Sequence, residues 1–324
     1  MNPKNHFSCP ENGHRTTRCM LAFLAAAGLV LICLSAGCTL LQEREEITGT
    51  ATPDLTVAVT ILPQKQFVER IAGEHAKVIV LVPPGASPHT YEPTPGQLAE
   101  VSSADVYVKV GSGIEFERAW MDKIAGLNPA MKVVDSSNGI GLLESQGDDE
   151  EEEGHSHASH EEPGTDPHIW LSLKNAQIMA KNTYEGLAAA DPRHATEYRA
   201  NADSFIRELD DLDTSIARDV AARNISSFMV YHPAWSYFAR DYGLVQIPIE
   251  AEGKEPTATG VQNLIRQAKE KNITIVFASP EYTTRSAEVI ADEIGGRVVL
   301  VSPLEEDYLK NMKNAARAFI GGSQ

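Results

Sequence analysis

Residues 191–223 read DPRHATEYRANADSFIRELDDLDTSIARDVAAR, and this stretch decides how the rest of the chain is arranged. Asp191 and Pro192 suit the start of a helix, and no glycine or further proline follows within the stretch. At about 1.5 Å per residue, roughly thirty helical residues span about 45 Å, enough to run along a whole domain or to join two. The stretch therefore predicts one long helix between two halves of the chain.

Apolar strands alternate with helices on both sides of this segment. The predicted strands are 55–62, 78–82, 106–110, 132–134, 227–231, 244–249, 273–278 and 297–301. The predicted helices between them are 64–72, 96–102, 115–125, 169–190, 235–242, 261–271, 285–294 and 308–319. Such alternation is typical of α/β folds with parallel sheets.

The predicted fold is therefore α/β, with two lobes joined by one long linking helix. Each lobe is a mostly parallel four-stranded sheet flanked by helices. The N-terminal lobe covers 54–190, the linking helix 191–223 and the C-terminal lobe 224–324.

The first 53 residues are predicted to target and tether the chain. Three basic residues precede an apolar run at 20–34, which is about as long as the core of a signal peptide. The run ends in LSAGC (34–38), and small residues before a cysteine resemble a lipobox in which Cys38 is lipidated, although the leucine stands one place further away than usual. An uncleaved anchor helix is the alternative. Both interpretations place the rest of the chain outside the cytoplasm, at the outer face of the cytoplasmic membrane or in the periplasm, with 39–53 as a flexible tether.

Composition limits the kinds of site that the folded part can hold. The formal net charge is −17, which argues against nucleic-acid binding, because that function needs a basic face. All four cysteines lie within the first 38 residues, so the folded part has neither a disulfide nor a thiolate metal site. Any metal site must use histidines and carboxylates.

Residues 144–165 interrupt the alternation with acidic runs, glycines and three histidines, His155, His157 and His160. This composition predicts a disordered loop. The loop is interpreted as a weak, mobile secondary metal site, and a solubilising insert is the alternative.

Three other histidines stand beside prolines at the junctions of predicted elements. His89 lies in a proline-rich loop after a strand, His168 follows Asp166-Pro167 just before a helix, and His232 lies where a strand becomes a helix. Ligand sites in open parallel sheets gather beyond the carboxyl ends of the strands. We therefore predict that two lobes bring these histidines into one cleft. His75 and His194 have no such context and are assigned no role.

Four motifs follow one another along the chain: PHTYEPTP (88–95), DPHIWLS (166–172), YHPAWSYFARDYG (231–243) and SPEYTTRSAEVIADEIGGRV (279–298). In sequence and in order they resemble the solute-binding proteins of ABC importers for zinc and manganese (cluster A-I). The resemblance covers about residues 55–320. It implies two α/β lobes, a metal held between them, and His89, His168 and His232 as its first three ligands. Zinc members carry histidine at the third position and manganese members usually carry glutamate, so His232 indicates Zn²⁺.

The fourth ligand departs from the family's pattern. Ser302 stands where many members have an aspartate, and serine is a poor zinc ligand. Some zinc members instead use a glutamate in the preceding strand-to-helix loop, so the resemblance implies Glu281 as the fourth ligand. Water, and Glu305 or another group, are the alternatives. Asp166 and Glu92 are candidates to hold the second ring nitrogen of the histidines.

The predicted function is capture of Zn²⁺ and its delivery to the permease and ATPase of an ABC importer. The chain is expected to be a monomer attached to the membrane by its lipid anchor, without enzymatic activity. The alternatives are a manganese or iron importer component, an adhesin or sensor, and a zinc hydrolase with three histidines and a water. The chain contains no HExxH helix and no nucleophile motif, which disfavours the hydrolase.

Overall fold

The computed structural model describes residues 53–145, 164–223, 225–251 and 253–321. Its strands are β1 (Leu55–Val59), β2 (Ala76–Val80), β3 (Val106–Lys109), β4 (Lys132–Asp135), β5 (Ser227–Val230), β6 (Val245–Pro248), β7 (Ile275–Ala278) and β8 (Arg297–Leu300). Its helices are α1 (Leu62–Ala72), α2 (Pro95–Val101), α3 (Glu115–Leu127), α4 (Leu173–Ala190), α5 (Ala195–Ala221), α6 (Ser236–Tyr242), α7 (Ala258–Glu270), α8 (Arg285–Glu293) and α9 (Tyr308–Phe319). Within these ranges, no helix has the length and apolar character that a bilayer-spanning segment requires.

The strands form two four-stranded sheets with the same strand order. The first sheet runs β2-β1-β3-β4 and the second β6-β5-β7-β8, with every pair parallel. The predicted fold class is thereby confirmed. In each sheet the strand order reverses between the two central strands. These are β1 and β3 in the first sheet and β5 and β7 in the second. The crevice beyond the carboxyl ends of such strands is where α/β sheets bind ligands.

Two predicted helices begin later than the sequence pattern indicates. Residues 191–194 form a turn in which the amide of His194 donates to the carbonyl of Asp191 at 3.3 Å, so α5 starts at Ala195 rather than at 191. The stretch 169–190 is divided into a 3₁₀ turn at Ile169–Leu171 and α4. Ser172 separates them because its backbone is extended and its hydroxyl accepts from the amide of Asn175, capping α4.

One hydrophobic core runs through both lobes. The long helix α5 buries residues at helical spacing on one face, namely Tyr198, Ala202, Phe205, Leu209, Ile216 and Val220. These residues belong to the same cluster as buried side chains of α1, α4, α6 and α9 and of the strands β1 and β5. Smaller clusters cover the outer face of each sheet. The two sheets are therefore joined by packed helices, while the residue limits predicted for the lobes stay predictions.

Candidate metal centre

Three loops bring the predicted histidines to one place. His89 follows β2 in a loop held by a turn, in which the amide of Tyr91 donates to the carbonyl of Ser87 at 3.0 Å. His168 directly precedes the 3₁₀ turn at Ile169–Leu171. His232 follows β5, the strand at the crevice of the second sheet. Each loop is anchored by an element of the core, so the positions of the imidazoles are set by the fold.

The Nε2 atoms of the three rings converge. His168 Nε2 lies 3.2 Å from His89 Nε2 and 3.2 Å from His232 Nε2. One ring nitrogen from each residue falls within 4.8 Å of the other two. Two ligands at a Zn–N distance of about 2.0–2.1 Å in a tetrahedron stand about 3.3 Å apart. The Nε2 atom of His168 therefore lies at the spacing of a tetrahedral zinc site from each of the other two Nε2 atoms.

A carboxylate holds the far nitrogen of every ring. Nδ1 of His89 lies 2.6 Å from Glu115 Oε2, Nδ1 of His168 lies 2.8 Å from Asp166 Oδ1, and Nδ1 of His232 lies 2.6 Å from Glu250 Oε1. A carboxylate accepts the Nδ1 proton and leaves the Nε2 lone pair free for a metal. The arrangement fixes both the tautomer and the direction of each ring.

Sequence reasoning found one of these three carboxylates. Asp166 is buried beside His168 as predicted, but Glu92 is exposed, and the prediction that it holds a histidine is wrong because Glu115 takes that place. Glu115 is the first residue of α3 and is distant in sequence from His89. Glu250, 4% exposed, comes just after β6, the neighbour of β5. A carboxylate right after the predicted strand 244–249 was the available signal for Glu250.

Burial keeps the imidazole of His232 in the neutral form that can bind a metal. Burial lowers the pKa of His232 to about 4, and the neighbouring rings of His168 and His89 act in the same direction, although the hydrogen bond to Glu250 opposes them. Its ring is therefore neutral at neutral pH. Burial raises the pKa of Asp166, but the hydrogen bond and charge of His168 outweigh burial and hold that pKa below its ordinary value. Asp166 is thus an ionised acceptor.

Tyr282 closes one side of the histidine cluster. Its ring stacks on His232 with centroids 4.6 Å apart, and its hydroxyl lies 3.2 Å from Ser87 Oγ in the His89 loop. Tyr282 follows β7 in the C-terminal lobe and Ser87 follows β2 in the N-terminal lobe. This side chain therefore joins the two lobes beside the cluster.

Glu281 lies at the cluster but is held by serines. It lines the same cavity as the three histidines, and its carboxylate accepts from Ser279 Oγ and, at 2.7 Å, from Ser302 Oγ. Among the described residues, the group of mutually close ligand atoms at this cavity contains the three histidines without Glu281. Glu305 lines a separate groove with Asp307 and Lys310.

A cleft of about 800 Å³ opens from the histidines to the surface. Ser145 and Gly164 line this cleft, and the amide of Ser145 donates to the carbonyl of Gly164 at 2.6 Å. They flank the predicted histidine-rich loop, whose His155, His157 and His160 lie outside the described residues. Cys38, with the leader and most of the tether, also lies outside them.

Two histidines to which the sequence assigned no role lie close together in the structure. His75 and His194 stack with ring centroids 3.7 Å apart, and both lie beside Asp54. They are far apart in sequence and follow no motif, so only the pairing of β1 with β2 and the start of α5 reveal the group. This group is distinct from the three-histidine cluster.

The chain matches the family model ZnuA, described as zinc-uptake complex component A, periplasmic, over residues 57–322. It is 32% identical over 263 residues to the high-affinity zinc uptake system protein ZnuA of Bacillus subtilis (strain 168), covering 78% of this chain and 79% of that protein. It is 29% identical over 269 residues to the zinc-binding protein AdcA of Streptococcus pyogenes serotype M3 (strain ATCC BAA-595 / MGAS315), covering 79% of this chain. The aligned part spans 52% of AdcA, about half of that relative's length.

A solved structure shows the same architecture. The fold is similar to the crystal structure of a ZnuA deletion mutant with zinc bound, with a TM-score of 0.75 and 41% sequence identity. The likeness covers 83% of this chain and 99% of that chain.

Proposed function

Because the chain belongs to the ZnuA family of zinc-uptake components, we propose that it captures Zn²⁺ between its two lobes and delivers it to an ABC importer. The observation that carries the proposal is the convergence of three imidazole Nε2 atoms, with His168 Nε2 3.2 Å from each of the other two. The family's periplasmic description supports a place outside the cytoplasm. Attachment through a lipid on Cys38 is part of the same proposal.

The donor set supports zinc over manganese. Imidazole nitrogen suits Zn²⁺, whereas oxygen-rich sites suit Mn²⁺. In this site the carboxylates contact the far nitrogens of the rings, and the convergent atoms are all nitrogen. The manganese alternative finds no such support in the geometry.

The test is a calorimetric titration with zinc, repeated in the presence of manganese. We expect zinc to bind at least a hundredfold more tightly, because every convergent donor is a nitrogen and manganese prefers oxygen. Equal affinity for the two metals would contradict the zinc assignment.

For the fourth position we propose a water molecule. Glu281 already accepts from two serine hydroxyls, one of them Ser302. Three carboxylates behind the histidines supply negative charge close to the ion, so a fourth, directly bound carboxylate is not needed for charge balance. Catalytic zinc sites show that three protein ligands and a water hold the ion well.

Replacing Glu281 with glutamine is therefore expected to weaken zinc binding by less than about tenfold, since glutamine keeps the shape and can still accept from the serines. The matched comparison is Glu250→Gln, which removes the charge behind His232 and is expected to cost about 10–100-fold. A dye-competition assay measures both constants. A larger loss for Glu281→Gln than for Glu250→Gln would identify Glu281 as a direct ligand.

The histidine-rich loop is proposed to bind metal weakly and pass it to the cleft. Its flanking residues Ser145 and Gly164 line the cleft, which supports a short path from loop to site. The ZnuA deletion mutant with zinc bound is a relative that holds zinc after losing a segment.

Deleting residues 148–162 is expected to leave the tight zinc constant unchanged and to remove weaker binding events. The reason is that the three-histidine cluster is anchored by β2, β5 and the 3₁₀ turn, none of which contains loop residues. Titration of both chains with zinc measures this. Loss of the tight event in the deleted chain would refute the separation of the two sites.

Release at the permease and its ATPase is proposed to need only small shifts of the ligand loops. The shared core and the long helix α5 disfavour a large rotation of one lobe against the other. The chain is proposed to work as a monomer. Structures with and without zinc would test this, and a large lobe rotation between them would contradict it.

We propose no enzymatic role. The family is one of zinc-uptake components, and the relative from Bacillus subtilis is named for zinc uptake. Neither description supports the hydrolase alternative.

A further inference from the structure

A second group of ligand atoms lies at the amino ends of the strands of the first sheet, opposite the end that carries the histidine cleft. Asp54 directly precedes β1 and His75 directly precedes β2, and these strands pair in parallel with Leu55 opposite Ala76. The register therefore places Asp54 and His75 side by side at the amino ends of the strands. A five-residue strand is about 17 Å long, so this edge is separated by that length from the carboxyl ends that carry the histidine cleft.

His194 completes the group from the start of α5. Asp54 Oδ2 lies 3.3 Å from His75 Nδ1 and 3.9 Å from His194 Nδ1. One carboxylate oxygen and one nitrogen from each ring all lie within 4.8 Å of one another. The three side chains are 24–32% exposed, so an ion from solvent can reach them.

Neighbouring charges orient the three ligands. Arg193 donates to Oδ1 of Asp54 at 2.9 Å and to Oδ1 of Asp191 at 3.2 Å. Each carboxylate therefore turns its Oδ2 atom toward the imidazoles: Asp54 Oδ2 faces His75, and Asp191 Oδ2 lies 2.6 Å from His194 Nδ1. Glu197 Oε2 holds Nε2 of His75 at 3.2 Å. Glu197 therefore stands behind His75 as carboxylates do behind metal-binding histidines. Asp191 contacts Nδ1 of His194, the nitrogen nearest Asp54, so an ion bound there would displace that hydrogen bond.

We propose that Asp54, His75 and His194 form a second divalent transition-metal site, separate from the three-histidine cleft. Two imidazole nitrogens and a carboxylate oxygen are a donor set of Zn²⁺, Co²⁺ and Ni²⁺ rather than of Ca²⁺ or Mg²⁺. With neutral imidazoles, three carboxylates and one guanidinium leave two negative charges at the group, which a divalent cation balances. The bound ion would tie the start of β1 to the start of the linking helix.

The proposal is tested by counting Co²⁺ ions bound at equilibrium dialysis in full chains whose cleft is disabled by His168→Ala. We expect the His168→Ala chain to bind one ion more than the His168→Ala/His75→Ala chain. Any ions on the histidine-rich loop are common to both chains and cancel in the difference. Equal numbers would overturn the proposal, whatever the cleft itself binds.

A second variant guards against a folding defect. Asp54→Asn keeps the shape of the side chain and its bond from Arg193, and is expected to lower Co²⁺ affinity at this site at least tenfold. The matched control is Asp105→Asn, another exposed aspartate before a strand of the same sheet, which accepts from the amide of Thr56 and faces neither histidine. An equal loss in the control would show a general charge effect and overturn the site.

Discussion

Replacing His168 with alanine is expected to weaken zinc binding more than any other single change, by more than about a hundredfold. His168 is the central member of the histidine cluster, because its Nε2 lies 3.2 Å from the Nε2 atoms of both His89 and His232. It is also the most buried of the three histidines, with 4% of its surface exposed. Loss of a carboxylate behind a ligand costs about 10–100-fold, and loss of the ligand itself costs more.

The comparison series for this prediction is His89→Ala and His232→Ala, each expected to lose at least about tenfold, with Lys181→Ala as the control. Lys181 is an exposed residue of α4 that pairs with Glu185 and does not line the cleft. Competition with a zinc-chelating dye gives all four constants. Unchanged affinity in His168→Ala would remove this residue from the site.

Replacing Trp170 with alanine is expected to lower the free energy of unfolding by about 3–5 kcal/mol. Trp170 is fully buried, and it links the 3₁₀ turn to the C-terminal lobe. Its Nε1 donates to the carbonyl of Pro303 at 2.8 Å, and its own carbonyl accepts from the hydroxyl of Tyr308 at 2.6 Å. The change removes a large side chain and leaves a buried carbonyl without its donor.

Urea unfolding of zinc-free chains measures this loss, because bound zinc would add its own stabilisation. The matched control is Trp120→Ala, in the same lobe. Trp120 is half-buried on α3 and contacts Lys123, so its loss should cost less. A Trp170→Ala chain no less stable than the Trp120→Ala chain would contradict the role of Trp170 as a link between the lobes.

The fold was predictable because its signals are local. Apolar runs of strand length alternate with helical stretches, and the positions of the elements follow from that pattern to within a few residues. The exceptions are residues whose backbone depends on hydrogen bonds with neighbours. Ser172 caps α4 and thereby divides a stretch that reads as one helix, and the turn at 191–194 delays the start of α5.

The candidate site was predictable only in part. The histidines of the cleft stand in motifs with prolines, so their convergence could be anticipated. Their supporting carboxylates Glu115 and Glu250 are contributed by other elements, and only the folded chain brings them to the rings. The pairing of His75 with His194 depends on strand register and on helix packing, which no short pattern records.

The core shared by both lobes has a consequence for how the chain can be divided. Side chains from β1 and α1 pack in the same cluster as those from β5 and α9, with α5 between them. A fragment ending after α5, or one beginning at β5, would expose the apolar surface that its missing half covers. We therefore expect that neither half folds on its own. An insertion that preserves the fold should be placed in a surface loop rather than between the lobes.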